Sequence, residues 1–130
     1  MNEKTKKYIQ EQNQEMLQTI RNHFSLPTFQ DDIAQDEVPD VLNYFLLVYG
    51  DIESVDGSKS LSQEIFVVYV CEDNDFVDEQ SIDVISMISN VKGINFKRTM
   101  KRRLQKKDQD EYLDQVTFIF NRKMPYECKI

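Results

Sequence analysis

Residues 61–71 read LSQEIFVVYVC, a run dominated by β-branched and aromatic residues. Its second half is apolar on both parities, which suits a strand buried on both faces near its end. A second run of the same kind, NYFLLVYGDI over residues 43–52, precedes it, with Asp56–Gly57 between the two. Asp-Gly flanked by strand-like runs predicts a hairpin, because a tight primed turn needs positive φ at its central residues. Gly50 inside the first run marks a bulge or a close backbone approach. The remaining chain has to pack against this antiparallel pair.

Residues 4–23 read as a helix. Ile9, Met16, Leu17, Ile20 and Phe24 fall in a band of roughly a hundred degrees, opposite Lys, Gln and Glu. Asn13 interrupts the band, and Ser25 and Pro27 end the helix, since proline disfavours helical geometry in the residue before it. Residues 28–42 begin TFQDDIAQDEVPD, with no sustained period, five acids and a proline; they read as an acidic surface connector. A second helix is predicted over 77–91, with Val77, Val84, Ile85, Met87, Ile88 and Val91 on one side. Asp78 or Asp75 is placed to cap it, Val77 and Ile82 to form a hydrophobic staple, and Gly93 to end it in a left-handed conformation. Residues 94–104 and 111–122 predict a second hairpin, with Phe96, Phe118 and Phe120 expected in the core and a charged tip at 105–110. Residues 123–130 form a tail, either a short edge segment or flexible.

The expected architecture is one α+β domain of order α-β-β-α-β-β, a four-stranded, mainly antiparallel sheet with helices packed on it. One hundred and thirty residues suffice for one buried core. No apolar run approaches a membrane span. The amino terminus has a basic start with no apolar stretch behind it, so folding in the cytoplasm is expected. Cys71 and Cys128 are far apart and lack metal-type spacing, so both read as reduced and structural.

The net charge of −7 argues against general nucleic-acid binding through the whole surface. The charge is segregated. Asp31, Asp32, Asp36, Glu37 and Asp40 form one acidic segment, and Glu72, Asp73, Asp75, Asp78, Glu79 and Asp83 another. Lys97, Arg98, Lys101, Arg102, Arg103, Lys106 and Lys107 gather seven of the sixteen basic residues. On a regular strand Lys97, Lys101 and Arg103 would face one way and Arg98 and Arg102 the other. That alternation builds no groove-binding surface like a basic helix.

Catalytic signatures are lacking. His23 stands alone at a helix end, where it serves the last carbonyls or the dipole. The three glycines are scattered, which excludes a phosphate loop or dinucleotide fingerprint. The carboxylate pairs lie in polar, solvated segments, and no calcium-loop spacing occurs. No enzymatic activity, cofactor or metal is expected.

In length and element order the chain resembles the tail terminator and neck proteins of long-tailed bacteriophages. The resemblance rests on a leading amphipathic helix, the connector TFQDDIAQDEVPD, the strand pair YFLLVYGDIESVDGSKSLSQEIFVVYV, the helix VDEQSIDVISMIS and the hairpin INFKRTMKRRLQ–EYLDQVTFIFNRKM. It implies a ring, commonly a hexamer, that caps the tail tube and docks a head-closure or connector protein. DNA passes through the lumen without sequence readout, and the protein resides in the virion tail or neck. Another neck or minor tail role, or a small non-viral binding or regulatory module, are the alternatives. A heterologous ring contact needs two complementary patches per subunit. The expected pair is the basic hairpin, Lys97, Arg98, Lys101, Arg102 and Arg103, against Glu72, Asp73, Asp75, Asp78 and Glu79 or the connector of the adjacent copy.

Overall fold

The computed structural model describes residues 1–57, 59–105 and 111–127. The tip carrying Lys106 and Lys107, and the end of the tail with Cys128, lie outside the described residues. Helix α1 spans Glu3–Phe24, strand β1 Thr28–Gln30, β2 Tyr44–Ser54, β3 Ser60–Glu72, helix α2 Val77–Ser89, β4 Ile94–Gln105 and β5 Tyr112–Pro125. One 3-10 turn, Gln35–Glu37, interrupts the acidic connector.

The sheet has five strands, in the order β1-β2-β3-β5-β4, and is mixed. This corrects the four-stranded, mainly antiparallel expectation and its order α-β-β-α-β-β, which becomes α-β-β-β-α-β-β. The unforeseen strand is β1, which opens the stretch read as connector and pairs parallel with Phe45–Leu47 of β2. Three residues are too few to show a period. Tertiary contacts fix them instead: the Asp31 amide donates to the Leu47 carbonyl at 2.7 Å, and the Tyr49 amide to Asp31 Oδ1 at 3.3 Å. A parallel start also forces the chain back along the sheet before β2 begins, which is the task of residues 31–43.

β2 and β3 form the expected hairpin, with Gly57 at φ 76 in the connection. The register shifts between Tyr49 and Ile52, so Gly50 does sit at a bulge. A Cβ there would stand 2.9 Å from both the Glu64 carbonyl oxygen and Phe66 Cε2. β3 is central, paired along its length with β5, and Tyr69, Val70 and Cys71 at its end are all buried.

Both helices lie on one face of the sheet. Met16 and Ile20 of α1 and Val77, Val84 and Ile88 of α2 join Phe45, Leu47, Ile65, Val67, Tyr69, Val116, Phe118 and Phe120 in the core. Each fully buried side chain of this kind contributes roughly 1.5–3 kcal/mol. Residues of the other parity, among them Leu46, Val48, Phe66, Val68, Leu113 and Ile119, form the opposite, open face.

A second bulge, between Phe96 and Arg98, resets the parity of β4. Phe96 packs edge-on against Phe120 at 5.4 Å but stays 37% exposed, so its expected core place is corrected. Only Ile94 of β4 is buried, as an edge strand allows. The start of α2 also differs. Phe76 stands at the N-cap without a side-chain cap, and Asn74 Oδ1 accepts the Phe76 amide at 2.8 Å. Neither Asp78 nor Asp75 caps, and Ile82 is 62% exposed rather than stapled. Gly93 has φ 88, where a Cβ would collide with Tyr8 Oη. Met124, placed in the tail from sequence, is a buried residue of β5 facing Leu61.

Candidate interaction surfaces

The β4 bulge decides where the basic residues go. Beyond it Lys101 lies opposite Val116 and Arg103 opposite Asp114, both core-parity positions on β5. These two cations therefore lean toward the helix side and meet acids of their own chain. Lys101 Nζ lies 3.0 Å from Asp78 Oδ1. Arg103 grips Asp114 with two bonds, Nε to Oδ1 at 3.0 Å and Nη2 to Oδ2 at 3.3 Å. Asp114 is buried, and its hydrogen bonds and charge push the Arg103 pKa above its ordinary value.

Arg98 and Arg102 pair with Ile119 and Gln115 and so project from the open face. Neither forms an ion pair among the described residues. Lys97, the bulge residue, joins them on that face, with Nζ 3.7 Å from Glu64 Oε1. It is thus separated from Lys101 and Arg103, against the regular alternation. Met100, 46% exposed, stands between the two arginines, opposite Thr117.

Of the acidic candidates, Asp75, Asp78 and Glu79 gather around the start of α2, beside Lys101 and Arg103. Asp73 takes a left-handed φ of 51 before the helix. Glu72 closes β3, opposite Leu113. Of the α2 acids Asp78 thus meets Lys101 within the subunit, whereas Glu79 and Asp83 sit on the exposed side of the helix, flanked by Phe76 at 65% and Ile82 at 62% exposure.

Elsewhere the buried polar side chains are tied into the packing. Tyr69 stacks on Phe45 at 4.5 Å, donates to Gln80 Oε1 at 2.9 Å and accepts from Asn74 Nδ2 at 3.1 Å. Burial, chiefly, pushes its pKa from 10.0 up to about 12. Burial likewise raises the Cys71 thiol, helped by the nearby Asp114 carboxylate, which keeps it protonated and unreactive at neutral pH. His23 is exposed and packs edge-on against Phe24. A shallow groove on the open face, lined by Gly50, Asp51, Glu64, Phe66, Lys97 and Asn121, brings no nucleophile and base together. Among the described residues no cluster of His, Cys, Asp and Glu could hold a metal ion, and no helix is long and apolar enough to cross a membrane.

The arrangement defines a class: an α+β domain whose mixed five-stranded sheet carries both helices on one face and leaves the other open. No protein-family model matches the chain, and no curated protein matches it in sequence. Among solved structures, a chain of the virion of a native gene transfer agent particle is similar, with TM-score 0.55 and 14% identity over 85% of this chain and 92% of that one. At that identity the likeness is one of fold.

Proposed function

We propose that this chain is a structural protein of a virion, a ring subunit of tail-terminator type that ends the tail tube and docks the head-side connector. The observation that carries this reading is the nearly end-to-end sharing of fold with a chain of a gene transfer agent virion. The surface supports it. Lys101 and Arg103 are engaged within the subunit, while Phe76 and Ile82 on α2 and Met100 with Arg98 and Arg102 on the open face stand exposed on two opposite sides of the sheet. That is what a subunit needs to make heterologous contacts, which close into rings when the rotation permits. In this reading the partners are further copies, the tail-tube protein and a head-closure or connector protein. DNA passes the lumen unread, the protein travels from host cytoplasm to virion, and it catalyses nothing. A net charge of −7 suits a passage through which DNA slides without being gripped.

Sedimentation velocity and negative-stain imaging over a range of concentrations, with and without tail tubes, test this. The expected result is rings with a central lumen that seat on tube ends and stop elongation. A chain that stays monomeric alone and also ignores tube ends overturns it.

A further inference from the structure

We propose that copies of this chain join head to tail by seating the outer face of α2 on the open sheet face of the next copy, around Met100. The inference rests on the ring reading and specifies its contact. Two surfaces lead to it. On the helix side, Phe76 and Ile82 are 65% and 62% exposed, and Glu79 and Asp83 lie between them on the helix surface. On the opposite side, Met100 is 46% exposed between Arg98 and Arg102, two cations without an ion pair among the described residues. The charges beside Phe76 and Ile82 are acidic and those on either side of Met100 are basic, while Glu64 of the open face is met by Lys97.

Dimensions agree. The thirteen-residue helix is about 20 Å long at about 1.5 Å per residue. The strand from Arg98 to Leu104 also spans about 20 Å, at about 3.3 Å per step. Docking would place a helix layer on the one sheet face that lacks its own, the arrangement in which sheets are normally buried. Lys101 and Arg103 take no part, since Asp78 and Asp114 of the same chain hold them. Because the two surfaces lie on opposite sides of the sheet, one subunit cannot satisfy both itself. The contact is heterologous and propagates.

Paired cysteines test it. Ile82→Cys and Met100→Cys are introduced together in a Cys128→Ser background, Cys71 being buried, and treated with a short bis-maleimide. A ladder of dimer, trimer and higher species is expected from the double variant, no linkage from either single variant, and dimers only from a mixture of the two singles. Ile82→Ser should weaken association about tenfold, the value of one buried aliphatic side chain. Arg102→Glu should weaken it about fivefold, as a peripheral ion pair does, and Glu79→Lys should restore it, with thermal midpoints unchanged. Dimers from Met100→Cys alone would mean that open faces stack on each other, which overturns the proposal. Rings that assemble without the ladder overturn this contact and leave the ring reading standing. A wild-type chain that never assembles, alone or on tube ends, overturns both.

Discussion

Among the described residues Arg122 is the largest fully buried side chain, and it has no carboxylate partner there. Its guanidinium donates to Gln63 Oε1 at 3.0 and 2.6 Å, to Asn13 Oδ1 at 2.6 Å and to Gln12 Oε1 at 3.4 Å, and lies 5.6 Å from the Tyr49 ring centroid. Burial lowers its pKa, but arginine stays charged at any physiological pH. The cluster ties α1 to β3 and β5, and it explains why Asn13 sits in an otherwise apolar stripe. Arg122→Met keeps most of the volume but strands the acceptors of buried Gln63 and Gln12 and of half-buried Asn13. The expected cost is about 2–3 kcal/mol, read from the urea midpoint at constant slope. Tyr69 offers a test of the opposite kind, in which the proton matters. Its folded pKa of about 12 exceeds the ordinary 10.0, so the unfolded chain gives up the proton first. Its contribution is whole below about pH 10 and is lost as pH climbs toward 12. Tyr44 and Tyr49 are shifted the same way by burial. Unfolding free energy should therefore fall across that window, and Tyr69→Phe should flatten the decline; an unchanged slope would show that Tyr69 is not its source.

At the scale of elements, the start of α2 shows how a tertiary network replaces the local cap. Asn74 holds the Phe76 amide at 2.8 Å, Tyr69 Oη at 3.1 Å and Gln80 Oε1 at 2.7 Å, so one side chain fixes the turn, the strand and the helix. Asn74→Ala should cost about 1–2 kcal/mol, whereas Asp78→Ala, which breaks only an exposed ion pair, should cost less than about 1 kcal/mol. Circular dichroism melts of the two variants check the ranking. The same comparison shows what the residues disclose. Period and composition suffice for α1, α2, the two hairpins and the Gly50 bulge, because each is stated within a dozen neighbouring residues. β1 is invisible, since its three residues owe their conformation to β2. The Lys97 bulge is equally silent: no glycine or proline marks it, yet it decides which face every later cation of β4 takes. Alternation therefore separates Lys101 and Arg103 from Arg98 and Arg102 in the sequence, but it puts Lys97 with the wrong group and does not show that the first pair faces the helices. Arg122 escaped because a charged residue ending a strand ordinarily points to solvent, and only the packed sheet shows it beneath α1.

For the whole molecule, that division of the basic run turns one sequence feature into two physical roles. Lys101 and Arg103 hold α2 and β5 from the helix side, while Arg98 and Arg102 stand on the open face with Met100. Reversing Lys101 and Arg103 to Glu would set like charges against Asp78 and the buried Asp114, so thermal stability should drop. Reversing Arg98 and Arg102 to Glu alters exposed positions with no ion pair among the described residues, and stability should stay within about 0.5 kcal/mol. Both double variants carry the same net charge, so general repulsion between subunits is matched and any difference in assembly belongs to the face. Under the proposed head-to-tail contact, the Arg98 and Arg102 variant should lose ring formation while melting like the wild type. Raising the salt concentration should weaken wild-type assembly and partly restore that of this variant, since it screens the repulsion between the introduced glutamates and Glu79 and Asp83. Equal loss of assembly in both variants, with equal melting temperatures, would mean that the two faces are not distinct in function. The measurement needs only thermal melts and sedimentation on three proteins. It separates a surface that holds the subunit together from one that holds subunits to each other.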